Sequence, residues 1–407
     1  MIPKMLSNVV ISTGSQRKIA RFLSLFSVSA HTRPMLDLPH ISHGPRCDPP
    51  IPPSVATGGL ARDAKRLASS LAILLMLTAG PRVAIAQTPF YDAKLEPPAG
   101  RVIHGWGQFS SQWDKGAPDG AGDAADLAAY ERAVKPNLPA MLSFYTALDA
   151  SLMQQFAERY KQIVAQRGFF VAEVGLYFQS LQKDASQGMR DPEVVMMLDV
   201  LREARNPVLL RIGYEFNTPS ASYDSSLYIQ TFRGVVERIR EGHTDNVAAM
   251  WNATAAGFDN GNFMRWYPGD DVVDWWGIDL FDLKDFDRPQ LAEFIEKARS
   301  HRKPVVICEA SPVFQTSAAG RVRGPKSDAE AAAWFQKLID LIDAHPEIQA
   351  ISLISVDWRR LHAILPGSGW PDARINQWPR AEAIWKKALS NKRFINAPEA
   401  EAVLRTR

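Results

Sequence analysis

The sequence predicts a single (β/α)8 barrel, an α/β TIM barrel, and three observations carry that reading. Eight apolar, β-branched or aromatic runs recur between residues 101 and 391, several apolar almost throughout, as parallel strands covered on both faces must be. Segments of helical period separate many of them. The rival architecture is an open doubly wound sheet, and no Gly-rich phosphate loop follows the first run.

The runs are Val102–Trp106, Ala140–Tyr145, Phe169–Phe178, Pro207–Gly213, Val247–Trp251, Val272–Phe281, Pro304–Cys308 and Ile348–Val356. Between them, Leu152, Phe156, Tyr160 and Ile163 keep helical spacing until Gly168, and Tyr228, Phe232, Val235 and Ile239 repeat it before Gly242. Ser327-Asp-Ala-Glu330 has the form of a capping box and opens a helix to Ala344. Arg288–Ser300 and Arg380–Ser390 complete the set. Residues 87–100 read as a linker and 392–407 as a C-terminal tail.

Composition narrows the function. The chain has 407 residues, 46% hydrophobic and 22% charged, which is far too apolar for a disordered protein. Its two cysteines, Cys47 and Cys308, supply neither a disulfide framework nor a Cys-rich zinc site. The formal charge of +3 is an average of unlike parts, since ten Lys/Arg face three Asp in residues 1–86 and the remainder is net −4. A −4 body without a basic stripe argues against nucleic acid as partner.

The boundary between those parts resembles a secretory signal. Arg62, Lys65 and Arg66 precede the apolar run Leu67–Thr78, and Ala84-Ile85-Ala86 supplies a small-residue site before Gln87. The run is shorter than the ~20 residues of a spanning helix. Residues 61–86 are therefore expected to be a signal peptide cleaved before Gln87, giving a secreted or periplasmic protein with no stable membrane insertion afterwards. Residues 1–60 are Pro-, Ser- and Arg-rich, and are expected to be disordered or the product of a misassigned start.

In a (β/α)8 barrel, chemistry sits where strands end at the C-terminal face. Glu215 closes the fourth run, with Arg211 four residues earlier, and Glu309 closes the seventh. An ionised, unpaired carboxylate in such a place costs several kcal/mol, roughly, so each needs a reason. Pairing with a neighbouring Arg or Lys is one. Two carboxylates facing one pocket offer another, because glycosidic cleavage requires one to protonate the departing oxygen and the other to attack the anomeric carbon or activate water.

Three stretches then carry a resemblance. Arg211-Ile-Gly-Tyr-Glu-Phe-Asn217, the span Trp266–Asp279 and Lys303-Pro-Val-Val-Ile-Cys-Glu-Ala-Ser-Pro312 resemble glycoside hydrolase family 26. That family contains the β-mannanases and belongs to the clan of retaining (β/α)8 glycosidases with catalytic Glu on strands four and seven. The resemblance implies that Glu215 is the acid/base and Glu309 the nucleophile. It also implies that Arg211 keeps the nucleophile ionised and that Trp358 is the sugar platform after strand eight. Tyr214 stands where the family usually has His, and Phe281 near where a tyrosine often touches the nucleophile.

Further substrate contacts are expected from residues at strand ends. Trp106, Tyr145, Tyr177 and Trp251 offer rings for stacking, with core packing as the alternative. His104, Asn252 and Asn217 offer hydrogen bonds, with a satisfied structural histidine the equal alternative for His104 and a turn residue for Asn252, and Asp279 and Phe281 end the sixth run. Asp279, Asp282, Asp285 and Asp287 fit no EF-hand spacing, no His pair suggests a metal, and paired carboxylates need no cofactor for this chemistry. The sequence therefore points to a retaining glycosidase acting on a β-linked polysaccharide or oligosaccharide. The alternative is a catalytically inactive carbohydrate-binding barrel involved in exopolysaccharide handling.

Overall fold

In the computed structural model, described for residues 90–109, 122–218, 222–316, 321–363 and 369–404, eight parallel strands close into a (β/α)8 barrel. Residues 1–60 and 61–86 and the cleavage position before Gln87 lie outside the described residues. The strands are β1 (Val102–Phe109), β2 (Met141–Ala147), β3 (Val171–Tyr177) and β4 (Val208–Ile212), then β5 (Val247–Thr254), β6 (Trp275–Leu280), β7 (Val305–Ala310) and β8 (Ile348–Ile354). Each pairs in parallel with the next, and β8 closes on β1 with Ile103 opposite Ala350 and Gly107 opposite Ile354.

The outer layer is α1 (Asp123–Val134), α2 (Ala150–Arg167), α3 (Asp191–Ala204), α4 (Ser225–Glu241), α5 (Pro289–Ser300), α6 (Asp328–Ala344) and α7 (Pro379–Leu389). Local chemistry fixes their starts. Asp149 and Asp224 accept amide hydrogens in the first turns of α2 and α4. Ser327 caps α6 through the Glu330 amide at 3.2 Å. The reciprocal half of the expected capping box is displaced by one residue, because the Glu330 carboxylate accepts from the Lys326 amide at 2.6 Å and from Arg323. One connection departs from the βα pattern: β5 and β6 are joined by two 3-10 turns, Ala255–Asn260 and Phe263–Trp266, not by an α-helix.

Alternation along the strands splits the core in two. Residues facing the helices form a large aromatic-rich shell, while Ile103, Met141, Val171, Leu209, Ala248, Met250, Trp275 and Val306 fill the lower barrel interior. The segments expected as linker and tail close this lower end. Trp275 Nε1 donates to the Lys94 carbonyl at 2.7 Å, and Gln349 donates to the buried Glu96 carboxylate at 2.7 Å. Residues 394–404 are no tail: β9 (Phe394–Ile395) pairs with β1, and α8 (Ala397–Leu404) buries Ala400 against the lower interior. Neither segment shows a strong period in sequence, which is why both read as connectors.

Candidate active site at the barrel mouth

Above the apolar lower layer, inward-facing positions change character within two residues. On β4, Leu209 belongs to the lower layer and Arg211 begins a polar one. The guanidinium is fully buried and every nitrogen is engaged. Nε and Nη2 donate to Asn252 Oδ1 at 3.0 and 2.7 Å, and Nη1 donates to the Tyr145 hydroxyl at 2.9 Å. Nη2 also donates to Asp279 Oδ2 at 3.1 Å and Glu309 Oε1 at 2.7 Å. On the remaining side, Glu173 Oε1 lies 3.5 Å from Nη1.

Three carboxylates thus surround one cation, and all four groups are buried. Burial pushes Asp279 well above the usual carboxylate range; Arg211 opposes this, and the charges of Glu309 and Glu215 reinforce it. Burial likewise pushes Glu173 up to about 7, with Arg211 lowering and Glu309 raising it. Asn252 orders the ring: its Oδ1 takes two bonds from Arg211 while its Nδ2 donates to Asp279 Oδ1 at 3.1 Å.

Glu215 comes next to this ring through a strained turn. Directly after β4, Gly213 (φ 62°) and Glu215 (φ 51°) both adopt left-handed backbone. At Gly213 a side chain would also strike Tyr228 and Phe178, at 2.7 and 2.8 Å from the position of its first carbon. Glu215 has no such excuse, and a non-glycine residue held at positive φ is a feature that clusters at functional sites. Thr218 donates to its carbonyl at 2.9 Å and to Oε2 at 3.3 Å.

Tyr214 packs edge-on to Tyr145 at 5.5 Å and over Arg211, whose guanidinium carbon is 4.9 Å from the ring centroid. Both tyrosines need Gly175 beneath them, since a first side-chain carbon there would sit 3.1–3.2 Å from each ring. Tyr177 lies 6.0 Å from Tyr214 and donates to Gln179 at 3.2 Å. Among the described residues, Glu309 Oε2 and the Tyr214 hydroxyl have no hydrogen-bond partner. Half-exposed Phe281 and buried Trp358 pack together at 6.3 Å, with Trp370 4.9 Å from Trp358.

Several residues expected to touch substrate face elsewhere. Trp251 points outward into the shell, stacked on Phe216 at 4.6 Å and donating to the Trp266 carbonyl at 3.1 Å. His104 and Trp106 occupy the outward side of β1, opposite Ile103 and Gly105. The His104 ring is held by Tyr130 at 2.6 Å and Asn396 at 2.9 Å, and burial lowers its pKa to about 4. Trp106 Nε1 donates to the Ser355 carbonyl at 3.3 Å. Asn217 clamps β4 to β5, donating to the Thr254 carbonyl at 3.0 Å and accepting from its amide at 2.8 Å. Asn252 and Asp279 spend their polar atoms on the Arg211 ring. Glu173 was not anticipated, although Val171, Glu173, Gly175 and Tyr177 share one side of β3 and an acid there must enter the barrel.

The fold and this ring define a class: a (β/α)8 barrel with buried acids gathered around an arginine at its C-terminal mouth. No protein-family model matches the chain. It is 30% identical over 239 residues to a β-1,3-xylanase of an Alcaligenes species, covering 55% of this chain and 51% of that protein. It is also 30% identical over 238 residues to a β-1,3-xylanase of a Vibrio species, covering 54% and 52%. The chain is thus a homologue of glycoside hydrolases, and it spans about half the length of the curated relatives it matches. Among solved structures, xylanase 10B of Thermotoga petrophila, in complex with xylobiose, aligns with a TM-score of 0.50 at 11% identity, covering 72% of this chain and 95% of that one. A GH26 β-mannanase of Bacteroides ovatus aligns with a TM-score of 0.47 at 15% identity, covering 73% and 88%. At 11% identity the xylanase structure speaks to the fold alone.

Proposed function

We propose that the protein is a retaining glycoside hydrolase that cleaves a β-linked polysaccharide or oligosaccharide, with Glu309 as nucleophile and Glu215 as acid/base. The observation that carries this is the 2.7 Å bond from Arg211 to Glu309, with one carboxylate oxygen of Glu309 left without a protein partner among the described residues. A carboxylate nucleophile must be ionised and must keep one oxygen for the anomeric carbon, and a fixed guanidinium on the other oxygen favours both. Glu215 protonates the departing glycosidic oxygen while Glu309 forms an ester with the anomeric carbon. Glu215 then takes a proton from water, whose oxygen displaces Glu309 from that carbon and returns both carboxyls to their starting states. Tyr145, Tyr177 and Tyr214, all buried, pack about the Arg211 ring, and half-exposed Phe281 packs on buried Trp358.

The relatives' names make β-1,3-xylan the first substrate to test, beside β-mannan and mixed-linkage glucan. The same proposal includes export, with cleavage before Gln87, which terminal sequencing of protein from the native host checks. Turnover is tested with two variants. Glu309→Ala should lose turnover on every substrate, by roughly 10⁵-fold or more, because no glycosyl-enzyme can form. Glu215→Ala should retain cleavage of dinitrophenyl glycosides, whose leaving group needs no proton, and azide should accelerate it with a β-glycosyl azide as product. Near-normal turnover by Glu309→Ala defeats the assignment. Sugar binding by a wild type that cleaves none of the panel would favour the inactive binding barrel.

A further inference from the structure

Arg211 is shared among more acids than two-carboxylate chemistry uses. We propose that Glu173 is a positioning residue, which competes with Glu309 for the Arg211 guanidinium and thereby sets how firmly the nucleophile is held; this rests on the reading of Glu309 given above. The geometry is specific. Glu173 Oε1 lies 3.5 Å from Nη1, and Glu309 Oε1 lies 2.7 Å from Nη2 of the same fully buried side chain. Both Glu173 oxygens lack a hydrogen-bond partner among the described residues. The Ser143 hydroxyl on β2 and the Cys308 thiol on β7 face them and favour the charged form without reaching full hydrogen-bond geometry.

Glu173 and the groups around it are of mixed sign and come from five strands. Tyr145 and Ser143 stand on β2, Glu173 itself on β3, Arg211 on β4 with Tyr214 beyond its end, Asp279 on β6, and Cys308 and Glu309 on β7. With Glu173 in its acid form, Nη2 keeps its bonds to Asp279 and Glu309 and no carboxylate charge opposes them at Nη1. When Glu173 ionises, a further negative charge meets Nη1 and draws the guanidinium away from Glu309. Burial places that ionisation at about 7, above the ordinary carboxyl value, so neutral pH lies within the switch. Glu173 need not touch sugar for this, so its effect should appear in kcat and not in KM.

Glu173→Gln keeps the shape and removes the ionisation. A carboxyl whose folded pKa is raised destabilises the fold as pH climbs from the unfolded value to the folded one. Relative to Glu173→Gln, the wild type's unfolding constant should therefore rise on the order of 100-fold between about pH 4.5 and 8. On a soluble glycoside, the alkaline fall of wild-type kcat should contain two ionisations and that of Glu173→Gln one, with KM unchanged within about twofold. Glu173→Asp should restore the second ionisation. Ser143→Ala, which removes a group favouring the anion, should move that ionisation to higher pH. Unfolding constants that stay parallel within about threefold across this range would overturn the electrostatic claim without reference to activity. Altered unfolding with unchanged pH–rate curves would overturn the positioning claim. A wild type that cleaves nothing overturns the glycosidase reading and the catalytic half of this one, and the unfolding comparison then decides the electrostatic half.

Discussion

The two halves of the barrel interior are built on the same strands to opposite specifications. In the lower half, Leu209, Met250, Val306 and Ile103 pack as an ordinary apolar layer, closed beneath by Leu95 and α8. One inward position higher on β4 and β5, Leu209 gives way to Arg211 and Met250 to Asn252, and the interior becomes a ring of charge. The lower layer draws its stability from area removed from water. The upper layer is stable only through mutual satisfaction, because each buried charge there relies on the others. The difference teaches where the fold stores its potential for chemistry: in the half that hydrophobic packing alone would not have built.

The largest expected effect separates these halves by pH. Arg211→Met should cost about 3–5 kcal/mol at neutral pH, since it strands Glu173, Asp279 and Glu309 in the interior. Glu173 and Asp279, already raised by burial, would then lose the cation that lowers them, so the loss should shrink toward pH 4 and grow as pH rises. Chemical denaturation across that range checks this, and a pH-independent loss would erase the distinction drawn here. Leu209→Ala, one inward position below, should cost roughly 2–5 kcal/mol through its cavity, equally at every pH. The smallest effect belongs to the seam. Cys308 touches the Met250 sulfur at 3.2 Å and faces Glu173. Cys308→Ser should lose about 1 kcal/mol at pH 5 and recover part of it by pH 8, because a stronger donor favours the Glu173 anion.

Much of this architecture is legible in sequence because parallel barrel strands are apolar on both faces and end abruptly. All eight runs overlap observed strands, and the abrupt endings in Glu215 and Glu309 mark the upper rim. What sequence reading lacks is parity. Trp251 and Asn252 are neighbours at one strand end, yet one faces the shell and the other the ring. Both are polar-tipped or aromatic and so looked equally suited to sugar. His104 and Trp106 fail in the same way. Glu173 was hidden for the converse reason: inside an apolar run a single acid looks like an interruption, and only its register with Val171 and Tyr177 shows that it points inward. The lower closure was illegible because residues 91–96 are held by Glu96 side-chain bonds to the Tyr91 and Ala93 amides, a pattern without period.

The β1–β9 pairing has a topological consequence. Val102 donates its amide to the Arg393 carbonyl at 2.9 Å, and Ile103 lies opposite Ile395. The polypeptide therefore enters and leaves the barrel side by side, at the blind end, with the whole wall between that doorway and the reacting groups. The same adjacency makes the barrel a natural subject for circular permutation: a short bridge across the doorway and a new opening elsewhere would preserve every strand pairing around the ring.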